Sequence, residues 1–466
     1  MSCPEWLGRS LLRLGKLASP RNSQPIHAMY AIIGAGPTGL SMARNLQKLG
    51  LPFTGFEIHS DVGGLWDADS PTSTMYESAH LISSKRTTEF KEFPMRDDVA
   101  QYPHHTELKQ YFQDYARHFE LYPHFEFDTE VLRVERSGEQ WQITTRCNGE
   151  EQVRHFEGVM LCNGTLHEPN RPELPGDFSG RVIHSSEYKT AKMFDGLRVL
   201  IIGCGNSGAD IAVDAVHHAN SVDMSLRRGY HFLPKFVLGR PIDTLGAGQW
   251  GLPRPIKQFV DGTVIKALVG KPSDYGLPDP DYKLYESHPV LNSLLLHHAG
   301  HGDVKVRKNI EHCAGKTVSF ADGSSAEYDL IVQATGYKLH YPFIDKKALN
   351  WHGAAPELYL NCLHPHDDSL FMMGMVEATG LGWEARNRQA ELVALYIQQL
   401  KNGAASAKKL QKTKAEQIGQ RLDGGYAYLK LDRMAYYVNK QVYNRVLTNH
   451  IEALKADLLA ADQAAA

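Results

Sequence analysis

The strongest constraint in this 466-residue sequence is one short pattern that occurs twice. Each copy consists of an apolar strand, a GxGxxG turn, an amphipathic helix and a second strand. The first copy starts at Tyr30 with its turn at residues 34–39, and the second starts at Arg198 with its turn at residues 203–208. A lone GxGxxG is weak evidence, but this order of elements is typical of dinucleotide-binding units. Two copies predict an α/β protein with two linked Rossmann-like domains.

The first turn has the residues that a bound pyrophosphate requires. Its first glycine permits a tight turn, its second lets the phosphates approach the backbone, and its third lets the helix pack closely on the strand. The start of the helix then presents unpaired N–H groups to the phosphates. An acid follows about 20 residues later, where a carboxylate accepts hydrogen bonds from both ribose hydroxyls. We therefore predict an FAD site formed by Gly34, Gly36, Pro37, Thr38, Gly39 and Glu57.

The second turn differs at the position that contacts the ribose. Arg227 and Arg228 follow its second strand, where the first copy has an acid. A carboxylate would repel a 2′-phosphate, whereas guanidinium groups form charge-assisted hydrogen bonds with it. We therefore predict an NADPH site formed by Gly203, Gly205, Asn206, Ser207, Gly208, Asp210, Arg227 and Arg228.

Composition excludes several other classes of protein. The net charge of −3 gives no support for nucleic-acid binding. The six cysteines include no CxxC pair, which argues against a disulfide scaffold, a zinc ribbon and a dithiol reductase and suits the cytoplasm. No apolar run approaches the roughly 20 residues of a membrane anchor. We expect no metal site, and we place the histidine groups 297–301 and 364–366 in surface loops.

Two dinucleotide sites in one chain imply hydride transfer from a nicotinamide to a flavin. The reduced flavin could then pass its electrons to a disulfide, to another acceptor or to oxygen. The missing CxxC pair counts against the disulfide, and the residues alone leave the other two routes open.

A resemblance to a known family narrows this choice. Phe178, Gly180, His184 and Tyr188 reproduce the fingerprint FxGxxxHxxxY/F of the flavin-containing monooxygenases. Residues 225–229 (SLRRG) and 63–66 (GGLW) are similar to that family's 2′-phosphate and flavin segments. The similarity extends from about residue 29 to about residue 400. It implies further FAD contacts from Gly64, Leu65, Trp66, Ser83 and Val131.

The resemblance also implies a mechanism and an enzyme class. NADPH reduces FAD, O₂ forms a hydroperoxide at flavin C(4a), and an amine nitrogen or a sulfide attacks the distal oxygen, as in the N,N-dimethylaniline-type monooxygenases. The flavin carries the oxidant, so no catalytic side chain is predicted, and the pocket candidates are Ile82, Ser83 and Ser84. The family usually has an Asn where this chain has Ile82, which cannot donate a hydrogen bond.

Several alternatives stay open at this stage. They are Baeyer–Villiger oxygenation of ketones, N-hydroxylation of amino-acid side chains, an uncoupled NADPH oxidase and a nucleotide-sensing protein without turnover. The expected partners are a small-molecule substrate and O₂, with no nucleic acid, no membrane anchor and a possible homodimer.

The expected organisation is an NADPH domain inserted into an FAD domain. Residues 1–28 form a flexible extension, 29–166 and 327–450 the FAD domain, 167–326 the NADPH domain, and 451–466 a tail. We expect irregular chain over 231–300 and a long helix over 383–400. Arg386 and Gln389 on that helix face either the flavin or the solvent, and the lysines of 408–414 form a solvated surface.

Overall fold

The computed structural model of the protein describes residues 30–245 and 253–465. The predicted extension 1–28 lies outside the described residues. The first of two five-stranded parallel sheets has the strand order Leu370–Met372, Gly158–Leu161, Tyr30–Ile33, Phe53–Phe56 and Phe125–Glu126. Every residue of its central strand, Tyr30–Ile33, is buried, as expected for a parallel strand covered on both faces.

The second parallel sheet repeats this arrangement. Its strand order is Arg181–His184, Leu330–Gln333, Arg198–Ile202, Ser221–Ser225 and Val304–Arg307. Both predicted strand–turn–helix–strand units are therefore confirmed, and the protein is an α/β protein with two linked Rossmann-type domains.

Nine α-helices occur in the described residues. They are α1 (Pro37–Lys48), α2 (Lys85–Thr88), α3 (His105–His118), α4 (Asn206–Ala215), α5 (Arg254–Val269), α6 (Leu294–His301), α7 (Gly382–Lys401), α8 (Ala405–Glu416) and α9 (Lys440–Ala465). Short 3₁₀ helices cover Gly64–Trp66, Tyr122–His124, Ser185–Glu187, Ala191–Phe194, Ile242–Thr244, Pro272–Tyr275, Lys346–Leu349 and Asp432–Tyr436. None of the helices in the described part of the chain is long and apolar enough to cross a membrane.

The smaller sheets are mostly antiparallel. One has three strands, Thr129–Ser137, Gln140–Cys147 and Glu150–Phe156, and another has four, Ser325–Glu327, Thr317–Phe320, Ile310–Gly315 and Gly176–Phe178. Three two-stranded ribbons pair Phe236–Val237 with Arg240–Pro241, Tyr337–Lys338 with Glu168–Pro169, and Trp351–His352 with Ala355–Pro356.

The second domain extends further along the chain than we expected. Leu330–Gln333 lies inside the second sheet, between Arg181–His184 and Arg198–Ile202, so a boundary at residue 326 is wrong. All four residues of this strand are buried, and an apolar strand of that kind needs a parallel neighbour on each side. The two connections between the domains, Glu168–Pro169 and Tyr337–Lys338, pair antiparallel with each other.

The predicted tail from residue 451 is wrong, because α9 continues to Ala465. Leu447, Ile451 and Leu454 repeat at helical spacing, and each is at most 2% exposed. The side-chain amide of Gln399 on α7 also donates to the carbonyl of Leu454 (3.2 Å). α9 therefore packs on the core of the first domain at least as far as Leu454.

Two other surface assignments need correction. Lys414 on α8 is only 1% exposed, and its ammonium lies 3.0 Å from a carboxylate oxygen of Asp368. Residues 231–300 include α5 and α6, so they are less irregular than expected. His297, His298 and His301 lie on α6 and not in a loop. Among the described residues, no three His, Cys, Asp or Glu side chains are placed to hold a metal ion.

Candidate functional site

In the first glycine turn, two glycines are required by the protein's own packing. Gly34 has φ +104°, and a Cβ on Gly39 would lie 1.8 Å from the carbonyl oxygen of Gly34. Gly36 is different, because its φ of −70° suits any residue and a Cβ there would first meet the Cα of Gly64, at 3.6 Å. Close approach of a ligand to the backbone explains a glycine at position 36. The turn therefore fits a pyrophosphate.

The second turn repeats this division. Gly203 has φ +98°, and a Cβ on Gly208 would lie 2.4 Å from the carbonyl oxygen of Gly203. Gly205 has φ −74°, and no protein atom lies within 4 Å of a Cβ placed on it. The open space above Gly205 also fits a dinucleotide phosphate.

The predicted flavin segment at residues 63–66 lies directly against the first turn. The backbone N–H of Gly63 donates to the carbonyl of Ala35 (3.1 Å), and a Cβ on Gly64 would lie 3.0 Å from the Cα of Gly36. Leu65 and Trp66 are half-buried beside it. The structure thus brings this segment and the first turn together, and the flavin contact itself stays a prediction.

Glu57 is held against the first turn as the spacing predicts. Its side chain is 5% exposed and accepts hydrogen bonds from the backbone N–H groups of Ala35 (2.6 Å) and His59 (3.1 Å). Burial raises the pKa of this carboxyl, and the N–H donors partly offset the rise. Val131, the remaining predicted contact in this region, is half-buried and packs in the cluster that includes Phe56.

In the second unit a different group occupies the place of Glu57. The strand registers pair Ile33 with Phe56 and Ile202 with Ser225, so the counterpart of Glu57 is Leu226, which is buried. The hydroxyl of Tyr230 instead lies near the backbone N–H of Cys204, and burial raises the pKa of this phenol. A neutral phenol therefore replaces the carboxylate. Tyr230 was missed because it lies four residues beyond the equivalent position.

Arg227 and Arg228 project next to this phenol. Arg227 is exposed and Arg228 is half-buried, and neither forms an ion pair or hydrogen bond with another described residue. Gly229 fixes the chain behind them, because a Cβ there would lie 2.2 Å from the carbonyl oxygen of Pro278. Two positive charges next to an uncharged phenol, without a partner in the described part of the chain, suit a phosphate group.

Besides Gly208, three predicted NADPH residues lie on the first turns of α4. Asn206 accepts from the backbone N–H of Leu291 (2.8 Å), and Asp210 accepts from the hydroxyl of Tyr76 (2.9 Å) and the amide of Asn292 (2.6 Å). Burial raises the pKa of Asp210. These two side chains hold neighbouring segments onto α4, which is a role that the sequence did not indicate. Ser207 is half-buried at the start of the helix.

The pocket candidates lie immediately before and at the start of α2. Ile82 is half-buried. The hydroxyl of Ser83 lies 2.6 Å from that of Thr88, and the hydroxyl of the fully buried Ser84 lies 3.2 Å from that of Thr87. Both serine hydroxyls thus have a partner within this segment, and Ile82 adds an apolar side chain next to them.

Asp243 of the second domain binds this segment, and sequence analysis missed it. Its Oδ2 accepts from the backbone N–H of Ser84 (2.7 Å) and from the hydroxyl of Thr87 (2.6 Å). The contact spans more than 150 positions of the chain, so no local pattern could have indicated it. Asp243 ties the inserted domain to the segment that carries Ile82.

The predicted helix is confirmed as α7. Two of its polar side chains, Arg386 and Gln389, bind groups of the protein itself. Gln389 is fully buried, accepts from the backbone N–H of Gly374 (3.0 Å) and donates to the hydroxyl of Tyr443 (2.8 Å). Arg386 donates to the carbonyl of Gly382 (3.0 Å). A Cβ on Gly374 would lie 2.7 Å from the hydroxyl of Thr38, so this network places Gly374 against the start of α1. The solvent-facing alternative is wrong.

The fingerprint residues organise the link between the domains. His184 is fully buried, with Nε2 3.0 Å from the carbonyl oxygen of Gly336 and Nδ1 accepting from the backbone N–H of Ser186 (3.1 Å). Tyr188 donates to Asp214 on α4 (2.8 Å). Phe178 and Gly180 pack on each other, since a Cβ on Gly180 would lie 2.5 Å from the ring. His184 therefore has a structural role in this link.

Two Rossmann-type domains, one inserted in the other and each with a phosphate-fitting turn, define a dinucleotide-dependent oxidoreductase. The chain belongs to the flavin-binding monooxygenase-like family, whose sequence model matches residues 28–448. Flavin is therefore its family cofactor, and the first domain has the turn and the carboxylate that would hold it.

Curated relatives agree with this assignment. Flavin-containing monooxygenase 5 of Mus musculus is 32% identical over 335 residues, which are 68% of this chain and 63% of the mouse protein. The chain thus spans less than two thirds of that relative. Flavin-containing monooxygenase 2 of Homo sapiens is 30% identical over 387 residues, which are 78% of this chain and 72% of the human protein.

Solved structures share the fold. Cyclohexanone monooxygenase in its open form has a TM-score of 0.67 at 20% identity, covering 93% of this chain and 98% of that chain. The S-allyl-L-cysteine S-oxygenase of Allium sativum has a TM-score of 0.63 at 21% identity, covering 91% of this chain and 88% of that chain.

Proposed function

We propose that this protein is an NADPH- and O₂-dependent flavin monooxygenase that oxygenates an amine nitrogen or a sulfide. The observation that carries this proposal is the pair of phosphate-fitting turns with opposite chemistry beside them. The first has the buried Glu57, and the second has a phenol with two arginines that form no ion pair with another described residue. A relative from Pan troglodytes, 30% identical over 387 residues, is named as an N-oxide-forming dimethylaniline monooxygenase.

In this proposal the first domain holds FAD and the second holds NADPH. Bound FAD supplies the redox chemistry, because it accepts a hydride from NADPH and passes the electrons to O₂. Glu57 binds the ribose hydroxyls of FAD, while Arg227 and Arg228 bind the 2′-phosphate of NADPH. The link held by His184 and the contact from Asp243 keep the two domains in fixed relation, so that hydride donor and acceptor meet.

Ile82 and its neighbours shape the reaction pocket in this proposal. The apolar side chain keeps water away from the reacting flavin edge, and the hydroxyls of Ser83 and Ser84 stay bound within their own segment. No side chain is required as a nucleophile. The predicted cytoplasmic location is supported by the free thiols of the five cysteines in the described residues, Cys147, Cys162, Cys204, Cys313 and Cys362. A homodimer stays a prediction.

Ile82 favours one second candidate, an NADPH oxidase that releases H₂O₂. A missing hydrogen-bond donor beside the developing charge can cost about 3 kcal/mol of stabilisation. Each serine hydroxyl already has a hydroxyl partner within its own segment. Loss of oxygen as H₂O₂ would then compete with transfer to the substrate.

Isotope labelling tests the proposal and separates the two candidates. The purified protein is supplied with NADPH, ¹⁸O₂ and either N,N-dimethylaniline or a dialkyl sulfide. We expect one labelled oxygen in the N-oxide or sulfoxide and less H₂O₂ than product. Recovery of all NADPH equivalents as H₂O₂ would instead identify an oxidase, and absence of NADPH oxidation would leave only a nucleotide-binding protein.

A further inference from the structure

Helix α5 exposes its apolar face to solvent, whereas an ordinary surface helix buries it. Its large apolar side chains recur every three or four residues along one face that is open to solvent, and these are Ile256 (50% exposed), Phe259 (75%), Val260 (41%), Val264 (50%) and Leu268 (49%). A helix of a soluble domain normally buries such a stripe. None of the residues of α5 is buried.

The opposite, mainly polar face of α5 is the one that contacts the protein. Gln258 donates to the carbonyl of Leu284 (2.9 Å), and Asp261 accepts from the hydroxyl of Tyr285 (2.7 Å) and pairs with Lys257. Ile265, the only large apolar residue of this face besides the C-terminal Val269, packs in a small cluster with Leu233, Leu284 and Leu291. These contacts fix which face points outward.

Exposed apolar side chains are concentrated in this part of the molecule. Eight of the fifteen large apolar side chains exposed in the described residues lie between Phe236 and Leu268. They include Leu238, at the turn of the Phe236–Pro241 ribbon, which is 99% exposed. Single exposed apolar residues are common, but a concentration of this kind marks an interaction surface.

The charge of this surface indicates its partner. Residues 253–271 contain four basic residues and one acid, although the whole chain has a net charge of −3. The acid, Asp261, is paired with Lys257, and the guanidinium of Arg254 lies over the ring of Tyr426. The side chains of Lys266 and Lys271 are exposed and form no ion pair with another described residue, and the backbone N–H of Lys271 donates to Asp274 (2.9 Å). In a two-fold dimer this positive segment would face itself, whereas an anionic lipid surface is complementary to it.

We propose that α5 docks on an anionic lipid bilayer and lies parallel to its surface. The stripe of Ile256, Phe259, Val260, Val264 and Leu268 enters the boundary between headgroups and acyl chains, and the basic residues meet the anionic headgroups. At 16 residues, α5 is shorter than the roughly 20 that span a bilayer, so the contact is peripheral. This proposal stands independently of the proposed reaction.

Vesicle flotation of the full-length, FAD-loaded protein tests the proposal. Vesicles of phosphatidylcholine alone are compared with vesicles that also contain phosphatidylglycerol. We expect at least about tenfold tighter binding to the anionic vesicles, and weaker binding as salt is raised. Absence of binding to either vesicle, or equal binding to both, overturns the proposal.

Matched variants locate the contact. Phe259→Asp and Val264→Asp place charges in the stripe, while Leu459→Asp changes a side chain that is 61% exposed on the distant helix α9. We expect the α5 variants to lose at least about tenfold in affinity for anionic vesicles and Leu459→Asp to keep wild-type affinity. Unchanged thermal unfolding and FAD content show that the variants are folded. Equal effects of the α5 and α9 variants would overturn the proposal.

The rival partner is a second copy of the chain. Light scattering without lipid gives the oligomeric state of the wild type and of Phe259→Asp. A wild-type dimer that this substitution dissociates would assign the α5 surface to self-association and overturn lipid docking. A molecular mass that is the same for both proteins, together with the flotation result, supports it.

Discussion

The two glycine turns have the same backbone but different surroundings. In the first, the N–H of Ala35 donates to the carboxylate of Glu57, and in the second the phenol of Tyr230 lies near the N–H of Cys204. Each turn has an equivalent glycine that close packing requires, Gly39 in the first and Gly208 in the second. The comparison separates residues that build a dinucleotide site from residues that choose the dinucleotide.

A substitution at Gly39 should have the largest effect, because it attacks the turn itself. A methyl group there would lie 1.8 Å from the carbonyl oxygen of Gly34, so Gly39→Ala should cost more than about 4 kcal/mol and give little folded protein. Gly36→Ala, with its nearest protein atom at 3.6 Å, should fold but lose FAD. Thermal unfolding and flavin absorbance check both. If the two variants unfold alike, the division between these glycines is wrong.

Gly205→Ala should damage only the second site. No protein atom obstructs a methyl group there, so we expect unchanged unfolding and FAD content. Loss of close phosphate approach should raise the Kd for NADP⁺ by about 10- to 100-fold, which corresponds to roughly 1.4–2.8 kcal/mol. Isothermal titration of the FAD-loaded protein with NADP⁺ measures it. Wild-type affinity would show that the phosphates lie elsewhere.

Arg227→Ala should weaken the choice between NADPH and NADH. Removal of a charge-assisted hydrogen bond to the 2′-phosphate should raise the KM for NADPH by about tenfold or more. The KM for NADH, which has no 2′-phosphate, should change by less than about twofold. Steady-state oxidation of both nucleotides gives the two values. Equal changes in the two KM values would mean that Arg227 does not bind the 2′-phosphate.

The link between the domains should depend on pH through His184. Burial lowers its pKa from 6.5, so the folded protein favours neutral His184, and its contribution to stability is present above that pH and lost as the pH falls. His184→Asn should cost about 1–2 kcal/mol near pH 7.5 and less near pH 5. Thermal unfolding across this range measures the difference. If His184→Asn destabilises the protein equally at every pH, His184 does not titrate in this range.

Ile82→Asn should have the smallest effect on structure and tests the pocket. An added donor should lower the ratio of H₂O₂ to oxygenated product, by up to about 100-fold if the full 3 kcal/mol is recovered. Ile82→Leu, which keeps the side chain apolar, is the matched control and should keep the wild-type ratio. Identical ratios for both variants would mean that residue 82 does not contact the reacting atoms.

The features that the sequence predicted are the local ones. Strand, turn and helix lie within a few residues of one another. The glycine turn at residues 34–39 and the position of Glu57 beside it could therefore be predicted from spacing alone. Tyr230 was missed because it lies four residues beyond the position equivalent to Glu57, and Asp243 was missed because its partners lie in another domain. The domain boundary failed for the same reason, since Leu330–Gln333 pairs with strands more than 120 positions earlier.

Periodicity also could not predict which face of a helix packs against the protein. The apolar positions of α9 and α5 both follow a helical repeat, yet α9 buries its stripe and α5 exposes it. Which face meets the protein depends on the tertiary contacts of Gln258 and Asp261 with the segment around residue 284. The pattern alone would have assigned the stripe of α5 to the core.

The central claim is that two unlike dinucleotide sites in one chain exchange a hydride. Anaerobic mixing of the FAD-loaded protein with NADPH in a stopped-flow spectrometer tests it most directly, with NADH as the comparison. We expect NADPH to bleach the flavin faster than NADH does. After oxygen is added, we expect a near-ultraviolet transient that decays faster with an amine or a sulfide. A flavin that stays oxidised with both nucleotides would contradict the account.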